Sequence, residues 1–246
     1  MRDLLNYILK FFFKKKVFEL TFDNKKIRAL ISDPIAKAWN TNTRIGYTEK
    51  TILKFIKKQK IKNVFYLGAH QGIIPIILKL FYLQSAKFIC LEALRHNYLI
   101  SLENKRLNNC NNEIIFKNIA ISSTVGFENF SFLKLNSNKS SNSLFNRKVV
   151  STSLIKLIEK YNKPDLVYMD VEGMEGELIK NNVNNLKKIK HVLFLELHGD
   201  DILKKYNSNN KKVFKDLVNI YNNIYIVEGD KIRLLTEKKF NIKKRI

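Results

Sequence analysis

The chain has 246 residues, of which 45% are hydrophobic and 11% aromatic; this allows one large α/β domain with a substantial core and excludes a wholly disordered chain. With 45 basic and 22 acidic residues the net charge is +23, which favours anionic partners, although lysines spread along the whole chain are also what a composition bias produces. No apolar run reaches the ~18 residues of a membrane span, and two cysteines without a pairing pattern fit a reduced, cytoplasmic setting.

We predict an N-terminal extension (residues 1–47), a main domain (48–237) and a basic tail (238–246). Within the extension, Asp3–Phe18 has the pattern of a helix with one apolar face. It would dock on the main domain or, alternatively, lie on a membrane surface, since its other face is cationic. Phe22–Asn40 is predicted to be irregular because Pro34 stops any long helix.

From Thr48 onward the pattern predicts helices alternating with strands. A first helix is capped by Thr48 and runs through Ile56. The predicted strands are Val64–Leu67, Phe88–Leu91, Ile114–Phe116, Phe127–Leu135, Leu166–Met169 and His191–Leu197, and the later helices are Ile73–Leu83, Asn97–Asn108, Ser153–Tyr161, Gly173–Lys180 and Asn209–Ile220. On the helix Asn97–Asn108 we expect Leu99, Leu102 and Leu107 to face the core. The alternation predicts a mostly parallel sheet with helices on both faces, and Ile224–Val227 with Lys231–Leu235 predicts a hairpin at one edge.

A glycine turn follows the first strand of this sheet. Gly68 and Gly72 lie between the apolar run Val64–Leu67 and the apolar helix that begins at Ile73. Strand, glycine turn and helix in this order build a nucleotide-sized pocket at the carboxyl end of a strand. Because the fingerprints GxGxxG and GxxxxGK[ST] are both missing, a nucleoside-type cofactor with little phosphate is expected rather than NAD, FAD or ATP.

Glu92 comes directly after the second predicted strand, twenty residues beyond Gly72. A carboxylate at this point can accept hydrogen bonds from both hydroxyls of a ribose. The alternative is a solvated loop carboxylate, and the nearby glycine turn favours the binding role.

Asp170, Glu172 and Glu175 lie within six residues at the end of the strand Leu166–Met169. Carboxylates packed this closely are costly unless they bind something or are paired. The alternative is a capping role for the two glutamates, because a helix N-terminus favours negative charge.

The last predicted strand carries the sequence Glu196-Leu197-His198. Residues two apart on a strand point to the same side, so Glu196 and His198 can face one pocket. A histidine there can accept a proton near neutral pH, or it can simply hydrogen bond to a neighbouring loop.

Taken together, the segments LGAHQG, LEALRHN, IAIS, DVEGMEGELIK and FLELH resemble the FkbM-type S-adenosylmethionine-dependent methyltransferase family, over about residues 48–198. The resemblance implies a Rossmann-like class I methyltransferase fold with a mostly parallel seven-stranded sheet, and S-adenosylmethionine as cofactor. The positions that match the family's cofactor-binding motifs are Gly68, Ala69, His70, Gly72, Glu92 and Asn97.

Three positions depart from the family pattern. Tyr66 stands where an acidic residue opens the first motif, Tyr168 where a lysine precedes the acidic motif, and Ala93 where a proline follows the ribose carboxylate. The first two changes remove charge from the centre of the expected pocket. They are the reason to consider a non-catalytic binding module on a methyltransferase scaffold as an alternative.

The resemblance implies methylation of a hydroxyl oxygen on a sugar, a glycan or a small metabolite. In such a displacement the protein orients the hydroxyl and excludes water, and a carboxylate or a histidine takes the proton. The candidates for this base are Asp170, Glu172 and His198. We predict no metal, although Asp170, Glu196 and His198 offer oxygen and imidazole ligands for one.

An RNA ribose 2′-O-methyltransferase is a further alternative, since the net charge suits nucleic acid. A nucleic-acid partner is nevertheless disfavoured, because the tetrapeptide [DN]PP[YF] of amino-methylating enzymes is missing. The Ser- and Asn-rich segment Asn136–Asn146 is predicted to be a loop that covers the acceptor.

Overall fold

The structure of the chain is a computed structural model. It describes residues 13–22, 24–34, 36–37, 51–52, 55–110, 112–131, 138–139, 146–228 and 231–235. Most of the predicted N-terminal helix and the whole basic tail therefore lie outside the described residues, as does most of the predicted loop Asn136–Asn146.

Strands and helices follow one another in this order. The strands are β1 (Lys16–Phe22), β2 (Lys25–Ile31), β3 (Asn63–Leu67), β4 (Lys87–Leu91), β5 (Ile114–Lys117), β6 (Ala120–Ile121), β7 (Gly126–Ser131), β8 (Asn138–Lys139), β9 (Asn146–Thr152), β10 (Leu166–Met169), β11 (Val192–Leu195), β12 (Ile224–Glu228) and β13 (Lys231–Leu235). The helices are α1 (Ile73–Ile77), which continues as a π-helix over Leu78–Tyr82, α2 (Arg95–Leu107), α3 (Leu154–Tyr161), α4 (Glu175–Lys188), α5 (Asp200–Leu203), which continues as a 3₁₀ turn over Lys204–Tyr206, and α6 (Asn210–Ile220).

The central sheet consists of five parallel strands in the order β11-β10-β3-β4-β5. In chain order this is 5-4-1-2-3, the arrangement of a doubly wound nucleotide-binding sheet, and its order reverses between β3 and β10. A ligand crevice is expected outside the carboxyl ends of the strands at this switch point. The parallel Rossmann-like sheet is confirmed, but it has five strands in the described part of the chain and not seven.

Both faces of the sheet are covered. Alternate side chains of the parallel strands enter one hydrophobic cluster with β1, β2 and α1, and the intervening side chains enter a second cluster with α3, α4 and α6. This two-sided burial explains why β3, β4 and β10 read as continuous apolar runs. The described helices include none that is both long and apolar enough to cross a bilayer.

The predicted hairpin is present, but not as an edge of the main sheet. β12 and β13 pair with each other and with no other strand among the described residues. A four-stranded sheet in the order β6-β9-β7-β8 is inserted between β5 and α3. The alternation of FENFSFLKL predicted one of its strands, and pairing with the later strand β9 completes it.

The N-terminal prediction was wrong where it can be compared. Residues 16–18 belong to strand β1 and not to a helix, and Lys25–Ile31, expected to be irregular, forms β2. Each strand alternates exposed lysines or other polar residues with buried apolar ones, so the hairpin buries one face on the main domain.

The buried face of helix α2 consists mostly of polar side chains. Leu99 and Leu102 are exposed, whereas Asn97, Ser101 and Asn104 are buried, so the predicted orientation of this helix was wrong. The amide of Asn104 accepts from the Leu30 N–H (2.6 Å) and donates to the Leu30 carbonyl (3.1 Å). Asn108 makes the same pair of bonds to Arg28, at 2.9 and 2.6 Å. Two side-chain amides one helical turn apart therefore bind alternate backbone units of β2.

We expect Asn104→Ala to lower the free energy of unfolding by about 3 kcal/mol, because it leaves backbone groups of β2 and the Gln71 carbonyl without their partner. Urea denaturation measures this loss. Leu102→Ala on the exposed side of the same helix is the control and should cost less than about 1 kcal/mol. Equal losses in the two variants would contradict a special role for the amide.

Candidate functional site

The turn after β3 passes very close to the end of β10. Gly68 has φ +91°, and a Cβ atom on it would lie 1.7 Å from the Asp170 carbonyl oxygen. Only glycine fits, because the conformation disfavours side chains and the neighbouring backbone occupies the space. The N–H groups of Gly68 and Ala69 both donate to the Leu91 carbonyl, which ties the turn to the end of β4.

Glu92, just beyond β4, is held by backbone donors. Its Oε2 accepts from the N–H of His70 (2.7 Å) and its Oε1 from the N–H of Leu94 (2.7 Å). The side chain is 5% exposed, and burial raises the pKa of its carboxyl to about 7, against the lowering effect of the hydrogen bonds from Leu94, His70 and Asn97. The carboxylate is therefore fixed in place and titrates near neutral pH.

An open cleft lies at the switch point between β3 and β10. One part of its wall is polar and is formed by Gly68, His70, Glu92, Asn97, Asp170 and Glu172. The other part is apolar and is formed by Leu91, Ala93, Ile119, Ala120, Ile121, Phe130, Val171 and Met174. Asn97 is 2% exposed, and its Oδ1 has no hydrogen-bond partner among the described residues. A buried acceptor in the wall of a cleft is suited to a donor on a ligand.

Four carboxylates and one histidine gather around the ends of β10 and β11. His198 Nδ1 lies 2.9 Å from Glu175 Oε1, and its Nε2 lies 3.4 Å from Glu172 Oε2. Glu175 is fully buried, and its Oε1 also accepts from the backbone N–H groups of Val171 and Gly173. Burial alone lowers the pKa of His198, but hydrogen bonds and charge from Glu172 and Glu175 outweigh it and raise the pKa to about 11. The imidazolium thus neutralises part of the cluster.

Asp170 is a carboxyl group that is hard to ionise. Burial raises its pKa well above the usual range, and the negative charges of Glu196 and Glu172 raise it further, while His198 opposes them. Asp170, Glu196 and His198 also each offer one ligand atom within 4.8 Å of the others, so these three residues could hold a cation.

The two tyrosines that depart from the family pattern form one unit. Tyr66 and Tyr168 face each other across β3 and β10, with stacked rings 4.2 Å apart, and their hydroxyls hydrogen bond. Both are buried in the hydrophobic cluster beneath the strand ends and neither lines the cleft. The two changes are therefore neighbours, and they replace one expected pair of opposite charges with an aromatic pair without closing the cleft.

The predicted site residues fall into two groups: those at the cleft and those that shape the turn after β3. Gly68, His70, Glu92, Asn97, Asp170 and Glu172 line the cleft, and His198 contacts Glu172 from behind. Ala69 and Gly72 shape the turn instead: a Cβ on Gly72 would lie 2.7 Å from the Cβ of Ser101, so this glycine lets α2 pack closely. The apolar wall at residues 119–121 was not predicted as part of the site. These residues follow the end of the parallel strand β5, and that position could have indicated that they lie near the cleft.

The sheet order and the cleft define a Rossmann-like α/β domain with an open, partly polar cleft at its switch point. The sequence model of the family described as Methyltransferase FkbM domain matches residues 43–217. The chain belongs to this family.

Solved structures that are similar to the chain include an FkbM methyltransferase from Methylobacillus flagellatus KT, with 19% identity and a TM-score of 0.37 over 54% of this chain and 32% of that one. The methyltransferase PaMTH1 of Podospora anserina, bound to S-adenosylhomocysteine, has 10% identity and a TM-score of 0.47 over 82% of each chain. An O-methyltransferase from a polyketide synthase multienzyme of Brevibacillus brevis, in complex with S-adenosyl-L-homocysteine, has 12% identity and a TM-score of 0.36, over 61% of this chain and 40% of that one. The chain thus spans about a third of the Methylobacillus structure, and no curated protein sequence matches it.

We expect Tyr66→Asp and Tyr168→Lys each to lower the free energy of unfolding by about 3 kcal/mol or more, because each buries an unpaired charge. The double variant should recover more than 1 kcal/mol of the summed loss by forming an ion pair. Urea denaturation of the four proteins of this cycle measures the coupling. Tyr66→Phe is the conservative control, and strictly additive losses would show that the two positions are independent.

The pKa of His198 also predicts how stability depends on pH. Because it is raised from 6.5 to about 11 on folding, its contribution is complete below about pH 6.5 and is lost as pH rises toward 11. The stability advantage of the wild type over His198→Gln should therefore shrink between pH 7 and pH 9.5, by up to about 1.4 kcal/mol per pH unit. Thermal or urea unfolding at several pH values measures it, with His191→Gln as control because the pKa of that histidine is lowered. An advantage that grows with pH would contradict the assignment.

Proposed function

We propose that this protein transfers the methyl group of S-adenosylmethionine to a hydroxyl oxygen of a sugar, a glycan or a small metabolite. The observation that carries the proposal is the cleft itself, which has a fixed carboxylate with a buried free acceptor on one side and an acid–histidine cluster on the other. Membership of the FkbM family supports the same chemistry.

The Glu92 side of the cleft fits the nucleoside. A carboxylate held by two backbone N–H groups can still accept hydrogen bonds from ribose hydroxyls, and Asn97 Oδ1 adds a second acceptor. The apolar wall at Ala93, Ile119 and Ile121 offers a dry surface for a purine ring. These groups suit a cofactor that has a nucleoside and needs no phosphate site.

The Asp170 side of the cleft fits the reacting groups. A sulfonium and an α-ammonium are cations, and a cation bound beside Asp170 and Glu172 would favour the ionised form of Asp170, whose pKa is otherwise raised by burial. When bound, S-adenosylmethionine would supply the methyl group to the acceptor oxygen with its thioether as leaving group, and a base of the protein would take the hydroxyl proton. Of the three candidates for this base, Asp170 and Glu172 line the cleft, and we assign the role to them. His198 is held as an imidazolium between Glu172 and Glu175, so it positions Glu172 and does not take the proton.

The first experiment is calorimetric titration with S-adenosylmethionine and S-adenosylhomocysteine. We expect micromolar binding that Glu92→Gln weakens about ten-fold, while Glu103→Gln, an exposed glutamate on α2, leaves it unchanged. No binding of either compound would refute the cofactor assignment. A radiolabelled methyl donor then screens hydroxyl acceptors, and binding without transfer to any of them would favour the non-catalytic alternative.

The affinity for S-adenosylhomocysteine should depend on the protonation of Glu92. Because the pKa of its carboxyl is raised to about 7 by burial, the accepting carboxylate is a minority form below pH 7. We expect binding about ten-fold weaker at pH 6 than at pH 8, since the apparent affinity falls with the competent fraction. Titration of Glu92→Gln over the same range is the control, and it should be flat near pH 7.

The RNA 2′-O-methyltransferase remains the second candidate because of the net charge of +23. A ribose hydroxyl is chemically equivalent to the acceptor proposed above. Filter binding of an unmodified RNA from 50 to 200 mM salt distinguishes the two, since a nucleic-acid enzyme should lose affinity steeply with salt.

A further inference from the structure

The inserted sheet has an apolar surface that the core does not explain. We name it the β7–β9 patch; it consists of Val125, Phe127 and Val150, which are 60%, 70% and 48% exposed. Phe127 lies directly opposite Val150 in the antiparallel register, so both point to the same face. Val125 lies in the bend directly before β7 and adds a second exposed valine close to Phe127 in the chain.

The opposite face of the same strands is already used. Phe130 and Glu128 on β7 are buried, and Phe130 lines the cleft together with Ile121 of β6. An antiparallel sheet that covers a core on one side ordinarily turns polar residues to solvent on the other. The patch departs from this rule and lies on the outer surface of a wall of the cleft.

The charged side chain on the face of the patch is positive. Lys148 opposes Asn129, one step along this face from the pair of Phe127 and Val150, and it is exposed, whereas Arg147 opposes the buried Phe130 and belongs to the other face. The strands β7 and β9 contain one acidic residue, Glu128, which is turned inward and accepts hydrogen bonds from Ser122 and Thr124. An exposed aromatic ring with a lysine on the same face, and no outward carboxylate on these two strands, is complementary to an anionic surface that also has an apolar interior.

We propose that the β7–β9 patch docks the protein on an anionic lipid surface, with Phe127 inserted at the level of the headgroups. Interfacial binding depends on buried apolar area together with attraction of basic residues to anionic lipid, and both are present here. Two valines beside the phenylalanine offer no stacking surface for bases, so lipid is favoured over single-stranded nucleic acid. Docking in this way would hold the cleft next to the membrane.

Sedimentation of the full chain with vesicles tests the proposal. We expect binding to vesicles of phosphatidylcholine and phosphatidylserine (about 7:3) and at least ten-fold weaker binding to pure phosphatidylcholine. Phe127→Ser and Val125→Ser should each weaken binding to the anionic vesicles several-fold, and together about ten-fold or more. Lys148→Gln should weaken it about five-fold.

Leu234→Ser is the matched control, because Leu234 is 50% exposed on the separate β12–β13 hairpin. It should bind vesicles like the wild type, whereas a loss equal to that of Phe127→Ser would overturn the proposal. No binding to anionic vesicles would also overturn it, as would binding of an oligonucleotide that Phe127→Ser weakens in place of lipid. S-adenosylhomocysteine affinity, measured on the same variants, should be unchanged and reports separately on the proposed function.

Discussion

The close contact between the turn after β3 and the end of β10 sets the geometry of the whole site. With no side chain on Gly68, the Asp170 carbonyl comes within a distance that any Cβ would occupy. In the same turn the His70 N–H donates a hydrogen bond to Glu92. The acidic segment that follows β10 lines the same cleft. The absence of a side chain at Gly68 therefore allows residues that follow three strands of the parallel sheet to come together.

The charge distribution of the molecule is uneven in a way that supports the proposed chemistry. The chain carries a net charge of +23, yet Asp170, Glu172, Glu175 and Glu196 gather at one edge of the sheet. Repulsion among these carboxylates is relieved by an imidazolium and by backbone N–H groups. A small cationic ligand would meet its most favourable field in the cleft, while the outer surface attracts anions.

The parallel sheet was predictable because its strands are short apolar runs bounded by glycine, proline or polar residues. The predicted bounds of β3, β4, β5 and β10 agree with the structure to within one residue. The rule that parallel strands end at a common edge then grouped Gly68, Glu92 and Asp170 correctly. The face of α2 was not predictable from periodicity, since Asn104 is buried by virtue of hydrogen-bond partners in β2 and at Gln71, which come from other parts of the chain. Similarly, strand pairing of β1 and β2 depends on a surface that only the folded domain provides, and the apolar wall at Ile119–Ile121 forms only when β6 joins the inserted sheet.

The two asparagines of α2 have a consequence for how the N-terminal hairpin behaves toward other molecules. A two-stranded sheet leaves its outer backbone groups open, and such an edge can recruit a strand from another chain. Here the amides of Asn104 and Asn108 reproduce the donor and acceptor spacing of a neighbouring strand, and they occupy Leu30 and Arg28. A helix thereby seals a sheet edge without contributing a strand, which protects β2 against intermolecular pairing and aggregation.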